Sequence, residues 1–293
     1  MQKKTYTRRA FLQQALYGTA ALGFAPGASA GLLDGVIFNA CKSPLPLRLA
    51  QHPVIRAAWQ GVDPAKFWDA HAHIAGTGDS GSGIFITPEM HSLWHPIQYL
   101  QHKVYLNAAC TSEGRVDASY VERMLHLVKE LGSLKETSAN TEPTKALNRN
   151  IQSRTAAASS QAKLMLFAFE QAYDESGQPR PERTAFHVPN NYASKLASQH
   201  PDYFEWVCSV HPYRKDALDE LEAAAAKGAR AVKWLPAAMG IDPASPRCTA
   251  FYRKLAQLKL PLICHAGEEK AVHGMDMTEA GNPLKLQIGR AHV

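Results

Sequence analysis

The chain reads as an α/β protein of the (β/α)8 TIM-barrel type, incomplete here, with about five of the eight strand–helix units. Three observations lead to that class. Short apolar runs of strand length alternate with helical stretches, which implies parallel strands joined by crossovers. Side chains able to do chemistry fall at the ends of several of these runs, where α/β barrels place their sites. About 260 residues remain behind an N-terminal leader, near the size of one such barrel, and no period of 20–50 residues suggests a solenoid.

Taken from the N-terminus, residues 1–30 have the three parts of an export signal. Lys3 and Lys4 come first, then Thr7-Arg8-Arg9-Ala10-Phe11-Leu12-Gln13, which is the twin-arginine pattern. An apolar stretch over 15–25 follows, and Ala28-Ser29-Ala30 offers a small-residue cleavage site. The stretch is too short for an ordinary membrane span, so no stable transmembrane segment is expected after processing, with an uncleaved anchor as the alternative. The expected location is the periplasm or another exported compartment, and the expected partners are the twin-arginine export machinery and a small-molecule substrate. Residues 31–64 form an N-terminal extension that ends in the turn Val62-Asp63-Pro64.

Charge excludes one class of partner. The chain has 32 Lys and Arg against 26 Asp and Glu, but Lys3, Lys4, Arg8 and Arg9 belong to the leader, which leaves 28 against 26. A nearly neutral mature chain gives no sign of nucleic-acid binding or of attraction to an anionic membrane. The five cysteines, Cys41, Cys110, Cys208, Cys248 and Cys264, are too scattered for a zinc knuckle or a redox pair. A disulfide is permitted in an exported protein, but the spacing assigns none.

The barrel units begin after residue 64. Residues 67–74 are the first strand, and 116–131 are an amphipathic helix with Val121, Leu125 and Val128 at helical spacing. Residues 164–169 are the second strand, followed by a short helix over 192–199. Residues 204–210 are the third strand. The Ala-, Leu- and Glu-rich stretch 215–227 is a helix with Gly228 as its stop. Residues 229–235 are the fourth strand, 248–258 the next helix, and 260–265 the fifth strand. Two insertions interrupt the alternation. The glycine-rich run 76–83 lacks the Gly-Lys-Ser/Thr ending of a phosphate loop and is expected to be a mobile loop over the site. The polar stretch 133–162 is a solvated excursion or part of a lid.

The C-terminal Ile288-Gly289-Arg290-Ala291-His292-Val293 can be encoded by a string that resembles a common sequencing adapter. The expectation is a non-native tail over 288–293, a partial barrel over 65–287, and a gene that continues downstream. An authentic genomic stop codon after Val293 refutes this. Five strands without the remaining three would leave two open sheet edges and an exposed apolar interior.

The chemistry starts at Asp69-Ala70-His71-Ala72-His73-Ile74. Two histidines one residue apart on a strand point to the same face, so both imidazoles can reach one metal ion. Asp69 is expected to point away from them. Ala231-Val232-Lys233-Trp234-Leu235-Pro236 places a lysine at the end of the fourth strand, and Cys264-His265-Ala266-Gly267 places a histidine at the end of the fifth. His71, His73, Lys233 and His265 should therefore converge on one mouth. Substrate contacts are expected from His211, at the end of the third strand, and from Trp94 and His95. The group His91, His95, His102, Trp94 and Tyr99 either lines a pocket or forms one amphipathic helix packed on the barrel rim.

This arrangement resembles the amidohydrolase superfamily, in its amidohydrolase-related branch of TIM-barrel metal-dependent hydrolases. The resemblance implies that His71, His73 and His265 bind a divalent metal, usually zinc, as one or two ions. It implies that Lys233 is carboxylated and bridges two metals, or has another role where the metal is single. It also implies an aspartate general base at the end of an eighth strand, downstream of the residues present here. The activity implied is hydrolysis of a C–N or C–O bond in an amide, lactone or ester by a metal-activated water. The alternatives are a metal-dependent decarboxylase on the same ligands and an exported, non-catalytic binding protein.

Overall fold

The computed structural model describes residues 52–58, 60–63, 66–111, 114–139, 162–267, 274–275 and 277–286. The leader and the adapter-like tail lie outside the described residues, as do 140–161 of the polar insertion. The chain divides between Ala58 and Trp59, and the short helix α1 (Pro53–Ala58) is the described part of the first unit.

The second unit is organised around five parallel strands. β1 (Trp68–His73), β3 (Lys163–Phe167) and β5 (Phe204–Val207) pair in that order. β6 (Val232–Trp234) and β7 (Leu262–Cys264) pair with each other. A parallel bridge between Cys208 and Val232, with Lys233 N donating to Cys208 O at 2.7 Å, sets β6 beside β5. Strand order thus follows chain order.

A helix fills each crossover. α3 (Val116–Ala139) lies between β1 and β3, and α4 (Asn190–Gln199) between β3 and β5. α5 (Ala217–Ala226) lies between β5 and β6. The last crossover holds α6 (Pro236–Met239) and α7 (Thr249–Leu258). All five parallel strands and all four major helices stand where the sequence predicts them, with strands trimmed at their ends and α3 running eight residues past its expected stop at 131. One feature was not anticipated: a small antiparallel pair joins β2 (Phe85–Ile86) to β4 (Phe186–His187). Two-residue strands leave no alternation to read in the sequence. The helix that was one of two expectations for the group from His91 to His102 is α2 (Pro96–Ala108), which takes in Tyr99 and His102 but begins after His91, Trp94 and His95.

The sheet has two unlike faces, and strand parity decides which residue goes where. Ala72 and Ile74, Leu164 and Leu166, Phe204 and Trp206, Val232 and Trp234 belong to the main core. In that core they meet Met124 and Val128 of α3, Leu196 of α4, Leu221 of α5, and Phe251 and Leu255 of α7. Residues of opposite parity, Met165, Phe167, Val207 and Ala231 with Ile263 against them, form a separate small cluster to which no helix contributes. Helices thus cover one face, and the inner side chains of successive strands make a layer of their own on the other. Among the described residues β1 and β7 pair on one side only, so the described strands form no closed sheet.

Candidate metal centre at the carboxyl ends of the strands

His71 and His73 stand on β1 with the inner-face parity, and both are exposed. A regular strand would hold side chains two residues apart at about 6.6 Å. The pairing of β1 with β3 is irregular between Asp69 and Ala72, the kind of local departure that re-aims a side chain. The two Nε2 atoms lie 3.1 Å apart.

Phe167 lies opposite His73 in the register and is wholly buried. Its ring centroid is 5.0 Å from that of His71 and 5.4 Å from that of His73. Lys233, only 2 % exposed, sets its Nζ 5.1 Å from the same centroid, a cation–π contact. Three of the four predicted ligands therefore surround one phenylalanine. His265 follows β7, and its backbone N donates to Trp234 O at 3.0 Å. Lys233 is in register with Ile263, so parity sends His265 to the same face as Lys233.

The electrostatics agree with this proximity. Partial burial, then the positive charge of Lys233, hold the His71 imidazole below its ordinary pKa, with Asp69 opposing and His265 adding to the depression. Asp69 is in register with Leu164, a residue of the helix-covered face, so the irregularity in β1 separates it from the inner-face pair, and its Oδ1 accepts a hydrogen bond from His71 N at 2.9 Å. Among the described residues no group of three or more His, Cys, Asp and Glu side chains is set to hold a metal ion. Glu268, Glu269 and His273 lie outside the described residues.

The surroundings of the pair are fixed from α3. Tyr120 Oη donates to His73 O at 2.8 Å and so clamps the end of β1. Asp117 accepts hydrogen bonds from Thr77 N (2.8 Å), Ser80 Oγ (2.9 Å) and Ser82 Oγ (2.6 Å), and Asp79 Oδ1 in turn accepts from Asp117 N (3.2 Å). Burial alone would push the Asp117 carboxyl up, but the bonds from Ser82, Thr77 and Ser80 outweigh it and hold it below the usual carboxylate range. Gly76 sits so close to this carboxylate that an added Cβ would lie 2.5 Å from Asp117 Oδ1 and 2.4 Å from Ile84 Cδ1. The run 76–83, expected to be a mobile loop, is tied down by one buried aspartate.

The predicted substrate contacts fare differently. His211 is fully buried, accepts from Tyr213 N at Nδ1 (3.2 Å) and faces Met239 O with Nε2 (3.0 Å). Burial pushes its pKa down to about 3, so the ring is neutral and its hydrogen-bonding capacity is spent inside the fold. That corrects the expectation of a solute contact. Trp94 and His95 stand exposed on the turn before α2. The aromatic neighbours of the inner-face histidines are instead Phe167 and Phe169, the latter 5.9 Å from His73.

A family model described as Amidohydrolase matches residues 68–287, beginning at the first residue of β1. This chain belongs to the amidohydrolase family. No curated protein matches it. In this amidohydrolase the sequence pointed to the histidines and the lysine but missed Phe167, Tyr120 and Asp117. Parity could have placed Phe167 on the inner face, but only register puts it opposite His73. It also missed a buried rim cluster, in which Glu170 accepts from Arg214 Nη1 at 2.7 Å and lies 4.0 Å from His187 Nδ1.

Proposed function

We propose that this amidohydrolase is a metal-dependent hydrolase acting on a C–N or C–O bond of a small molecule, an amide, lactone or ester, in a (β/α)8 barrel to which the five parallel strands belong. The observation that carries the reading is the Nε2–Nε2 separation of 3.1 Å between His71 and His73. Two nitrogens bound to one ion at 2.0–2.1 Å would lie about 2.9 Å apart in octahedral and about 3.3–3.4 Å apart in tetrahedral geometry. The pair thus fits a shared cation with little movement of either ring. As neutral imidazoles the two can also hydrogen bond to each other at this distance, which makes the arrangement stable before metal enters.

His71 and His73 would be the first ligands, with His265 and Lys233 completing the set from β7 and β6. A divalent ion, zinc by preference for imidazole, would supply Lewis acidity, polarising the substrate carbonyl and lowering the pKa of water to about 7. The residues of the chain do the rest. Partial burial and then the charge of Lys233 help keep His71 deprotonated, the form that can bind metal. Phe167 excludes water from beneath the imidazoles, and Tyr120 holds the backbone of His73 in place. The twin-arginine leader and exported location belong to the same reading. The disulfide at Cys110 suits an oxidising compartment.

Zinc content of the purified chain tests the reading. About one or two equivalents are expected, falling at least tenfold in His71→Ala and in His73→Ala. Stoichiometry unchanged in both variants would sink it. Unaltered zinc in Lys233→Ala would argue against a two-metal bridge, and carbon dioxide among the products would redirect the assignment to decarboxylation.

A further inference from the structure

We propose that the apolar stripe from Leu93 to Leu100 is a docking face for a second copy of this chain. Leu93, Trp94, Ile97 and Leu100 are 75 %, 92 %, 69 % and 63 % exposed. Leu93 and Trp94 are neighbours on the turn that enters α2, and Ile97 and Leu100 follow at three- to four-residue spacing on its first turns, where they share one side of the helix. The buried side of the same helix is marked by His102 and Leu106.

The stripe is preorganised. The 3-10 turn Pro88–His91 is tied to α2 by the rings of His91 and His102, whose centroids are 4.5 Å apart. His95 N donates to Ser92 O at 3.0 Å, and Tyr99 N to His95 O at 2.9 Å, so the turn runs directly into the helix. Little chain entropy would be lost in presenting these side chains to a partner.

Size and charge select the occupant. At these exposures the four side chains offer on the order of 500 Å² of largely apolar surface, as much as the largest patch on a typical monomer. That is more than half of the ~800 Å² that each partner buries in a standard interface. Residues 90–102 contain no Asp, Glu, Lys or Arg. A two-fold interface lays a patch on its own copy, and an uncharged stripe does so with no like-charge repulsion. The same lack of Lys and Arg removes the electrostatic attraction that holds amphipathic helices on anionic membranes.

Sedimentation of the full chain from 1 to 100 µM tests this. A species of twice 32.1 kDa is expected, with a dissociation constant raised at least tenfold in Trp94→Ser/Ile97→Ser. A control variant, Leu127→Ser on α3, should leave it unchanged. All three side chains changed here are exposed to solvent, and an unaltered far-UV spectrum and thermal midpoint would show that the fold survives. Three results would overturn the proposal: a monomer at 100 µM, a dimer insensitive to the double substitution, or a monomer that co-sediments with phosphatidylglycerol vesicles through Trp94 and Ile97.

Discussion

On its helix-covered face the parallel sheet presents Leu166, Phe204, Trp206 and Trp234, each at most 2 % exposed, interlocked with side chains from four helices. On the opposite face the small cluster of Met165, Phe167, Val207 and Ala231 lies beside His71, His73 and Lys233. Alternate residues of the same strands thus meet opposite environments. The first face is buried throughout, and in a close-packed interior a lost methylene leaves a hole. The second is filled below by apolar residues and left open above, so its histidines keep accessible nitrogens. Stability and chemistry are divided between the two faces of one sheet, and substitutions should separate them.

The largest effect is expected on the filled face. Trp234 packs on Phe251 and Tyr252, with ring centroids 5.0 and 5.9 Å away, and donates from Nε1 to Val210 O at 2.8 Å. Trp234→Ala should cost about 3–5 kcal/mol in urea unfolding, through lost packing and an orphaned carbonyl. Lys233 and Cys264 flank it in chain and in register, so equal loss of metal at low denaturant would show that the faces are not independent.

A middle-sized effect is expected at the rim, where His211 is buried between the rings of Tyr173 and Tyr213. Its folded pKa of about 3 lies below the ordinary 6.5. Above pH 6.5 both folded and unfolded forms are neutral, and His211 has no pH-dependent effect. Below it the unfolded chain takes up a proton that the folded chain refuses, so stability falls as pH drops from 6.5 towards 3. The slope should approach ~1.4 kcal/mol per pH unit for this one group. His211→Gln should be less stable at pH 7 yet show a pH dependence shallower by about one proton, read from denaturation midpoints at pH 4.5 to 7. Parallel curves for the two proteins would refute the assignment.

The smallest effect belongs to the open face. Tyr120→Phe keeps the ring but removes the hydrogen bond to His73 O. A cost of about 1 kcal/mol is expected, together with a roughly tenfold weaker zinc affinity by competition with a chromogenic chelator. Stability loss with no change in affinity would mean that Tyr120 supports the strand but does not orient the ligand.

Much of the fold was legible before any coordinates. Short apolar runs at 164–169 and 204–210, and the Ala- and Leu-rich helix at 215–227, declare themselves because both signals are local. The pair His71 and His73 was visible for the same reason. The small antiparallel strands at Phe85–Ile86 and Phe186–His187 were not, since two residues carry no period and their partner is a hundred positions away. The glycine-rich run 76–83 suggested mobility by composition. Its order comes from Asp117, about forty residues on, which no local pattern reveals.

The sequence by itself determined the alternation of strands and helices, the family, and the identity of the nitrogen-bearing side chains. The tertiary structure alone decided which of them meet. Register sets Phe167 opposite His73, an irregularity in β1 accompanies the close approach of the two imidazoles, and burial takes His211 out of reach of solutes. The physical reason is range. Backbone periodicity is fixed by the nearest few residues, whereas the distance between two side chains far apart in the chain depends on how every intervening element packs.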